Sequence, residues 1–217
     1  MKSSFNKKIT ALMLVLTVAV SALAFTACGG GKGEDGSAVV AKVNGTAVTE
    51  DQLDCFAKIS MQLLGYDPSD ITEDQEQELL NQLVVIQVVK EYYKDKDDDI
   101  YGDDYESAAK TFINSAHESA ADFLKQYEIT DDQLKEFYSG QYAVSALFKE
   151  IQEEHASDDM YALASEYYDA HKDEFKNEDG TYPELDDVIQ SVYYALYSNM
   201  YDEKVTELKK DMKIKVY

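Results

Sequence analysis

Ala38-Val39-Val40-Ala41-Lys42-Val43-Asn44-Gly45, followed within three residues by Val48-Thr49-Glu50-Asp51-Gln52-Leu53, is the stretch on which the fold turns. Its first six residues are a β-branched run closed by the Asn-Gly turn signal, so they read as a short strand. Thr49 to Gln52 reads as a capping box that opens a helix, with Val48 and Leu53 placed to staple it. Leu53, Phe56, Ala57, Leu63 and Leu64 then recur at helical spacing. A strand this short is not stable alone and needs a partner. The one other strand candidate is Lys213-Ile214-Lys215-Val216-Tyr217, which alternates in period two. Pairing these two segments closes the fold by joining its ends.

Between them the chain reads as helices. The Thr-x-x-Gln start signal recurs at Thr72 to Gln75 and at Thr130 to Gln133, the latter stapled by Ile129 and Leu134. The segments it opens share no further pattern at a fixed period, so they are not repeats. The second helix carries Leu79, Leu80, Leu83, Ile86 and Val89 through to Tyr92 and Tyr93. Its Val84 to Val89 portion has strand composition, but helix formers on both sides argue for helix. Tyr105, Ala109, Phe112, Ala116 and Phe123 mark a third helix, and Phe137, Val144, Leu147 and Ile151 a fourth. Ser157 is placed to cap a fifth helix running towards Phe175, and Pro183 to start a long last one carrying Val188, Val192, Leu196, Met200 and Leu208.

The N-terminus reads as an export signal. Lys2, Lys7 and Lys8 precede an apolar run from Ile9 to Phe25, and small Ala27 stands just before Cys28. Leu23-Ala24-Phe25-Thr26-Ala27-Cys28 resembles a bacterial lipobox, with Phe25 where an aliphatic residue is usual. Residues 1–27 are thus expected to be a lipoprotein signal peptide, Cys28 the lipid attachment site, and the glycine-rich residues 28–37 a flexible tether. Two acyl chains on Cys28 would suffice for stable anchoring at the extracytoplasmic face of the cell membrane. With Cys28 modified, Cys55 is the one cysteine left, so no intramolecular disulfide can form.

Composition narrows the partners. The formal charge is −23, and removing residues 1–27 takes away three lysines and no acid, leaving −26. All twenty basic residues are lysine, so no guanidinium fork is present to grip phosphate. Nucleic acid is not expected as a partner, and the negative field disfavours lying flat on anionic lipid, so membrane contact is expected through the anchor alone. A strongly negative field favours cationic partners.

Val39-Val40-Ala41-Lys42-Val43-Asn44-Gly45 with Val48-Thr49 opening a helix resembles the start of the chaperone region in exported proteins of the SurA/PrsA type. Tyr167-Tyr168-Asp169-Ala170-His171-Lys172-Asp173-Glu174-Phe175 resembles the helix that leads, in that family, into a parvulin prolyl isomerase domain. The last helix and the Lys213 to Tyr217 strand resemble the return from it. The resemblance implies a mainly α, multi-helix SurA N-terminal-like chaperone fold over residues 38–217, with a small antiparallel sheet pairing the N- and C-terminal strands. Only residues 176–182 separate Phe175 from Pro183, whereas a parvulin domain is of roughly a hundred residues, an ordinary domain size. The family's Ser-His-Ile-Leu-type strand, which carries an active-site histidine, has no counterpart here. Isomerase activity is therefore not carried over.

The residues that could carry chemistry are few. His117, His155 and His171 are far apart in charged helical surroundings and read as surface side chains. Cys55 has no histidine near it in sequence and reads as packing. Asp95, Asp97, Asp99 and Glu106 fall at positions 1, 3, 5 and 12 of an EF-hand-like loop, but Ile100 stands where the glycine is required; a solvated charge run and weak calcium binding both remain open. No nucleotide, metal or covalent-catalysis motif is present, and no cofactor is expected. Seventeen tyrosines and no tryptophan are distinctive. Most belong to helix stripes; Tyr193, Tyr194, Tyr197 and Tyr201 exceed what one buried face holds and are candidate peptide-binding residues. The expected function is a membrane-tethered chaperone that binds unfolded exported polypeptides without catalysis. Its rivals are a scaffold or adaptor lipoprotein with one folded partner and, despite the missing insert, a prolyl isomerase.

Overall fold

The computed structural model describes residues 31–33, 36–94, 96 and 100–217. The expected signal peptide, Cys28 and part of the expected tether lie outside them. The described chain is mainly helical with one small antiparallel sheet. Strands β1 (Val39–Val43) and β2 (Thr46–Thr49) are followed by helices α1 (Glu50–Leu64), α2 (Glu73–Lys94), α3 (Asp103–Gln126), α4 (Asp131–Glu154), α5 (Met160–Ala170) and α6 (Leu185–Lys210), then by β3 (Ile214–Val216).

The sheet order is β2-β1-β3. The predicted pairing of the chain ends is present, with Ala41 opposite Val216 and Val43 opposite Ile214. One strand more than expected completes it. Asn44 and Gly45 have φ of 50° and 92°, both in the left-handed region, as a type I′ turn requires. Such a turn matches the strand twist and folds Thr46–Thr49 back on β1 as a hairpin, with Val43 opposite Thr46 and a bulge between Val39 and Ala41. Thr49 then serves twice, ending β2 and capping α1.

All three capping boxes form. Thr49 and Gln52 exchange bonds at 2.9 and 3.3 Å, as do Thr72 with Gln75 and Thr130 with Gln133 at 2.9 and 3.2–3.3 Å. The Val84 to Val89 run is helical, and Val84, Val85, Ile86, Val88 and Val89 are all buried, so α2 is covered on nearly every side. Two start signals move. Asp159, not Ser157, caps α5 by accepting from the Ala162 N–H at 3.1 Å, because residues 155–157 are taken up by a turn after α4. α6 starts at Leu185, not Pro183; the Pro183 carbonyl accepts the Tyr168 hydroxyl instead. The fifth helix stops at Ala170 and continues as a 3-10 turn, Lys172–Phe175.

The chain forms two compact units. The first comprises the described residues up to Ala146 together with Val205–Tyr217, and its core joins the sheet (Ala41, Val43, Val48, Val216) to Phe56, Val84, Val88, Leu134 and Val144 from the helices. The second is Leu147–Lys204, centred on Ala164, Tyr168, Val192 and Leu196.

Candidate functional site

Three helices of the first unit each present one stripe at i, i+3, i+4 spacing to a common cleft of about 400 Å³. α1 contributes Asp51, Gln52, Cys55 and Phe56; α2 contributes Leu83, Ile86, Gln87 and Lys90; α4 contributes Gln133, Glu136, Phe137 and Gly140. Val48 of β2 and Glu128 and Thr130 from the loop between α3 and α4 complete the lining. Phe56, Ile86 and Phe137 are buried and form the floor with Leu83; the two phenyl rings lie 5.7 Å apart. Gly140 lets α4 come close to α2, since a Cβ there would stand 2.7 Å from Ile86 Cγ2.

The rim is polar and negative. Lys90 is its one cation among the described residues and is held by Glu136 at 2.6 Å and by Ser139 Oγ at 3.0 Å. Among the described residues no ion pair involves Asp51 or Glu128. Gln52 and Gln133 each spend their side-chain oxygen on the backbone N–H of a capping box, which leaves both amide nitrogens as donors at the cleft. Glu128 is also conformationally unusual. The end of α3 is a Schellman motif, with Glu128 N–H donating to Lys125 O and Ile129 N–H to Leu124 O. Glu128 occupies its left-handed position with φ 53°, where glycine is the unstrained choice and a side chain costs about 1 kcal/mol. Strain of this kind collects where a side chain is used.

What this lining offers is apolar contact, amide donors and carboxylate acceptors. Cys55 Sγ is its one thiol, and burial, reinforced by the Asp54 charge, pushes it up to about 11 from an ordinary 9.0. That opposes the thiolate at neutral pH.

The tyrosines named from sequence fall differently. Tyr201 is 1% exposed and stacks on Phe148 at 4.6 Å and 4°, so it packs in the interior of the second unit. Tyr193 packs against that unit's core and Tyr197 is half-buried. Tyr194 is 42% exposed. None of the four lines the cleft. The first unit carries its own aromatic cluster, in which Tyr105 lies 5.0–6.1 Å from the rings of Tyr101, Tyr138 and Tyr142. Each histidine pairs with an acid: His117 on α3 with Asp131 and His155, in the turn after α4, with Asp158, both at 2.6 Å, and His171, just past the end of α5, with Glu174 at 2.9 Å. Asp95, Asp97 and Asp99 of the acidic loop lie outside the described residues. Among the described residues, no cluster of three metal-ligating side chains is present and no helix is long and apolar enough to cross a membrane.

The buried acids set an alkaline limit on stability. Burial raises Tyr105 to about 12 and raises Tyr101 and Tyr201 further, alongside Cys55. In the unfolded chain these groups lose protons near their ordinary 9.0 and 10.0, so above that pH the unfolded state binds fewer protons and stability falls with rising pH. We expect the protein to hold its fold to about pH 9 and to unfold cooperatively above it. Tyrosinate absorbance should show exposed tyrosines titrating first and the rest appearing together with loss of helical circular dichroism. Smooth titration of all tyrosines with the helices intact would contradict the assigned burial.

Comparison with known protein families, with curated proteins and with solved structures found no match.

Proposed function

We propose that this chain is a lipid-anchored extracytoplasmic chaperone that holds unfolded exported polypeptides and releases them unchanged. The observation that carries this reading is the cleft, an apolar floor of Phe56, Leu83, Ile86 and Phe137 inside a carboxylate rim. Such a surface meets what an unfolded segment exposes, namely large apolar side chains and unpaired main-chain carbonyls, with amide donors at its edge. The resemblance of the strand, turn and helix opening to the SurA/PrsA type supports the same reading, as does an acidic surface that attracts cationic segments.

The reading is tested by adding residues 29–217 in several-fold excess to a denatured, aggregating reporter at low and moderate salt. Suppression that weakens with salt is expected; no suppression at either salt contradicts it. A pull-down recovering one stoichiometric folded protein would favour the scaffold alternative instead, and catalysis in a proline-peptide assay would favour an isomerase. Anchoring is tested separately. Cys28→Ser should move the protein from the membrane to the soluble fraction with its circular dichroism and melting unchanged, and a variant that stays membrane-bound contradicts lipidation at Cys28.

A further inference from the structure

We propose that the cleft selects its clients, receiving one large apolar side chain from a peptide segment whose neighbouring residues are lysine or arginine. The inference rests on the chaperone reading and names what that site takes. The apolar floor supplies the seat, and about 400 Å³ is the space of roughly a dozen waters at about 30 Å³ each, enough for an aromatic side chain with part of its backbone. The charge of the rim supplies the selection. Glu136 is spent on Lys90, while Asp51 and Glu128 have no ion pair among the described residues, and the chain as a whole carries −23. A lysine beside the seated side chain meets both carboxylates, whereas an acidic neighbour is repelled.

Two further features point to a peptide. The Gln52 and Gln133 amide nitrogens are donors suited to main-chain carbonyls, which a simple amine lacks. Glu128 keeps its carboxylate on the rim in a left-handed backbone conformation that glycine would adopt without strain. The carboxylate is held there against local stability, as expected of a group used in binding.

The absence of tryptophan makes the test direct, because a tryptophan in the peptide is then the only indole in the mixture. Full-length protein in neutral detergent is titrated into three short peptides: tryptophan flanked by lysines, tryptophan flanked by glutamates, and a lysine-flanked alanine peptide used as competitor. A saturable blue shift is expected for the lysine-flanked tryptophan peptide, with affinity about ten-fold or more above the glutamate version and a gap that narrows with salt. The alanine peptide should compete about ten-fold more weakly than a lysine-flanked phenylalanine peptide, and tryptamine, titrated by itself, should bind about ten-fold more weakly than the lysine-flanked tryptophan peptide. Glu128→Gln should weaken binding about three-fold, the scale of one exposed ion pair. Glu128→Gly should weaken it as much while raising the melting temperature by about 2–4 °C.

Equal affinity for the two tryptophan peptides overturns the proposal. So does wild-type binding by both Glu128 variants, or tryptamine titrated by itself binding as tightly as the peptide. The two readings separate cleanly: suppression of reporter aggregation without charge preference removes this selectivity and leaves the chaperone, while charge-selective capture without suppression removes the chaperone and leaves the cleft's preference.

Discussion

Val216→Asp is expected to lower stability by about 3–5 kcal/mol, the cost of an unpaired buried charge, and hence the melting temperature by about 10 °C or more. Val216 is buried opposite Ala41, itself fully buried, where β3 closes on β1. The end of the chain thereby seals the core around its beginning, and Tyr217 N–H to Val40 O and Asn44 N–H to Lys213 O tie the same seam at 3.0 and 2.9 Å. The deficit should shrink as pH falls towards about 4, because a buried aspartate raises its pKa and avoids the charge by protonating. The neighbouring position gives the opposite result. Lys215 is exposed and lies opposite Lys42, two like charges across the ladder, so Lys215→Glu should be neutral or gain about 0.2–1 kcal/mol. Urea unfolding of both variants checks the register, since a one-residue slip would exchange their phenotypes.

The second large effect lies under the cleft. Gly140→Ala is expected to destabilise, although alanine is worth about 1 kcal/mol more than glycine in a helix. The added Cβ would lie 2.7 Å from Ile86 Cγ2, and Ile86 is buried and β-branched, held to one rotamer in a helix, so it cannot swing aside. Overpacking costs about 1–3 kcal/mol and outweighs the gain in propensity; Gly140→Val should cost more still. Ile86→Ala alone should lose about 2–5 kcal/mol by opening a cavity. The double variant Ile86→Ala with Gly140→Ala should be more stable than the sum of the singles by about 0.5–3 kcal/mol, because each relieves the other. Simple additivity in chemical denaturation would show that the two residues do not meet.

What was legible in the sequence was mostly local. The three Thr-x-x-Gln boxes involve residues three apart, and each formed because its bonds need nothing from the rest of the chain. The pairing of the chain ends was readable because one β-branched run before Asn44-Gly45 and one alternating segment at residues 213–217 were the two strand signals, and each needed a partner. β2 escaped because its four residues end in Val48-Thr49, which already carry the staple and cap of α1 and so read as helix start; the Asn44-Gly45 turn was its signal. Ser157 and Pro183 failed as helix starts for a tertiary reason, since a turn absorbs one and the Tyr168 hydroxyl engages the backbone of the other.

The site was less legible than the fold. Tyr194 and Tyr201 are seven residues apart and therefore share a helix face, yet one is 42% and the other 1% exposed. Periodicity assigns a face without saying what covers it. The cleft shows the same limit: Leu83 and Ile86 read as ordinary core stripe, and only the convergence of three helices at Gly140 turns that stripe into a floor with Gln87 and Lys90 at its edge.

Site-specific photo-cross-linking tells whether unfolded clients are held in this cleft. A photoreactive residue replaces Gln87 at the cleft or Tyr194 on the second unit, and each variant is irradiated while it holds a denatured reporter. Cross-linked reporter is predicted at position 87, diminished by moderate salt and by excess lysine-flanked tryptophan peptide, with little at position 194. Cross-links at 194 and none at 87 would show that clients are held elsewhere.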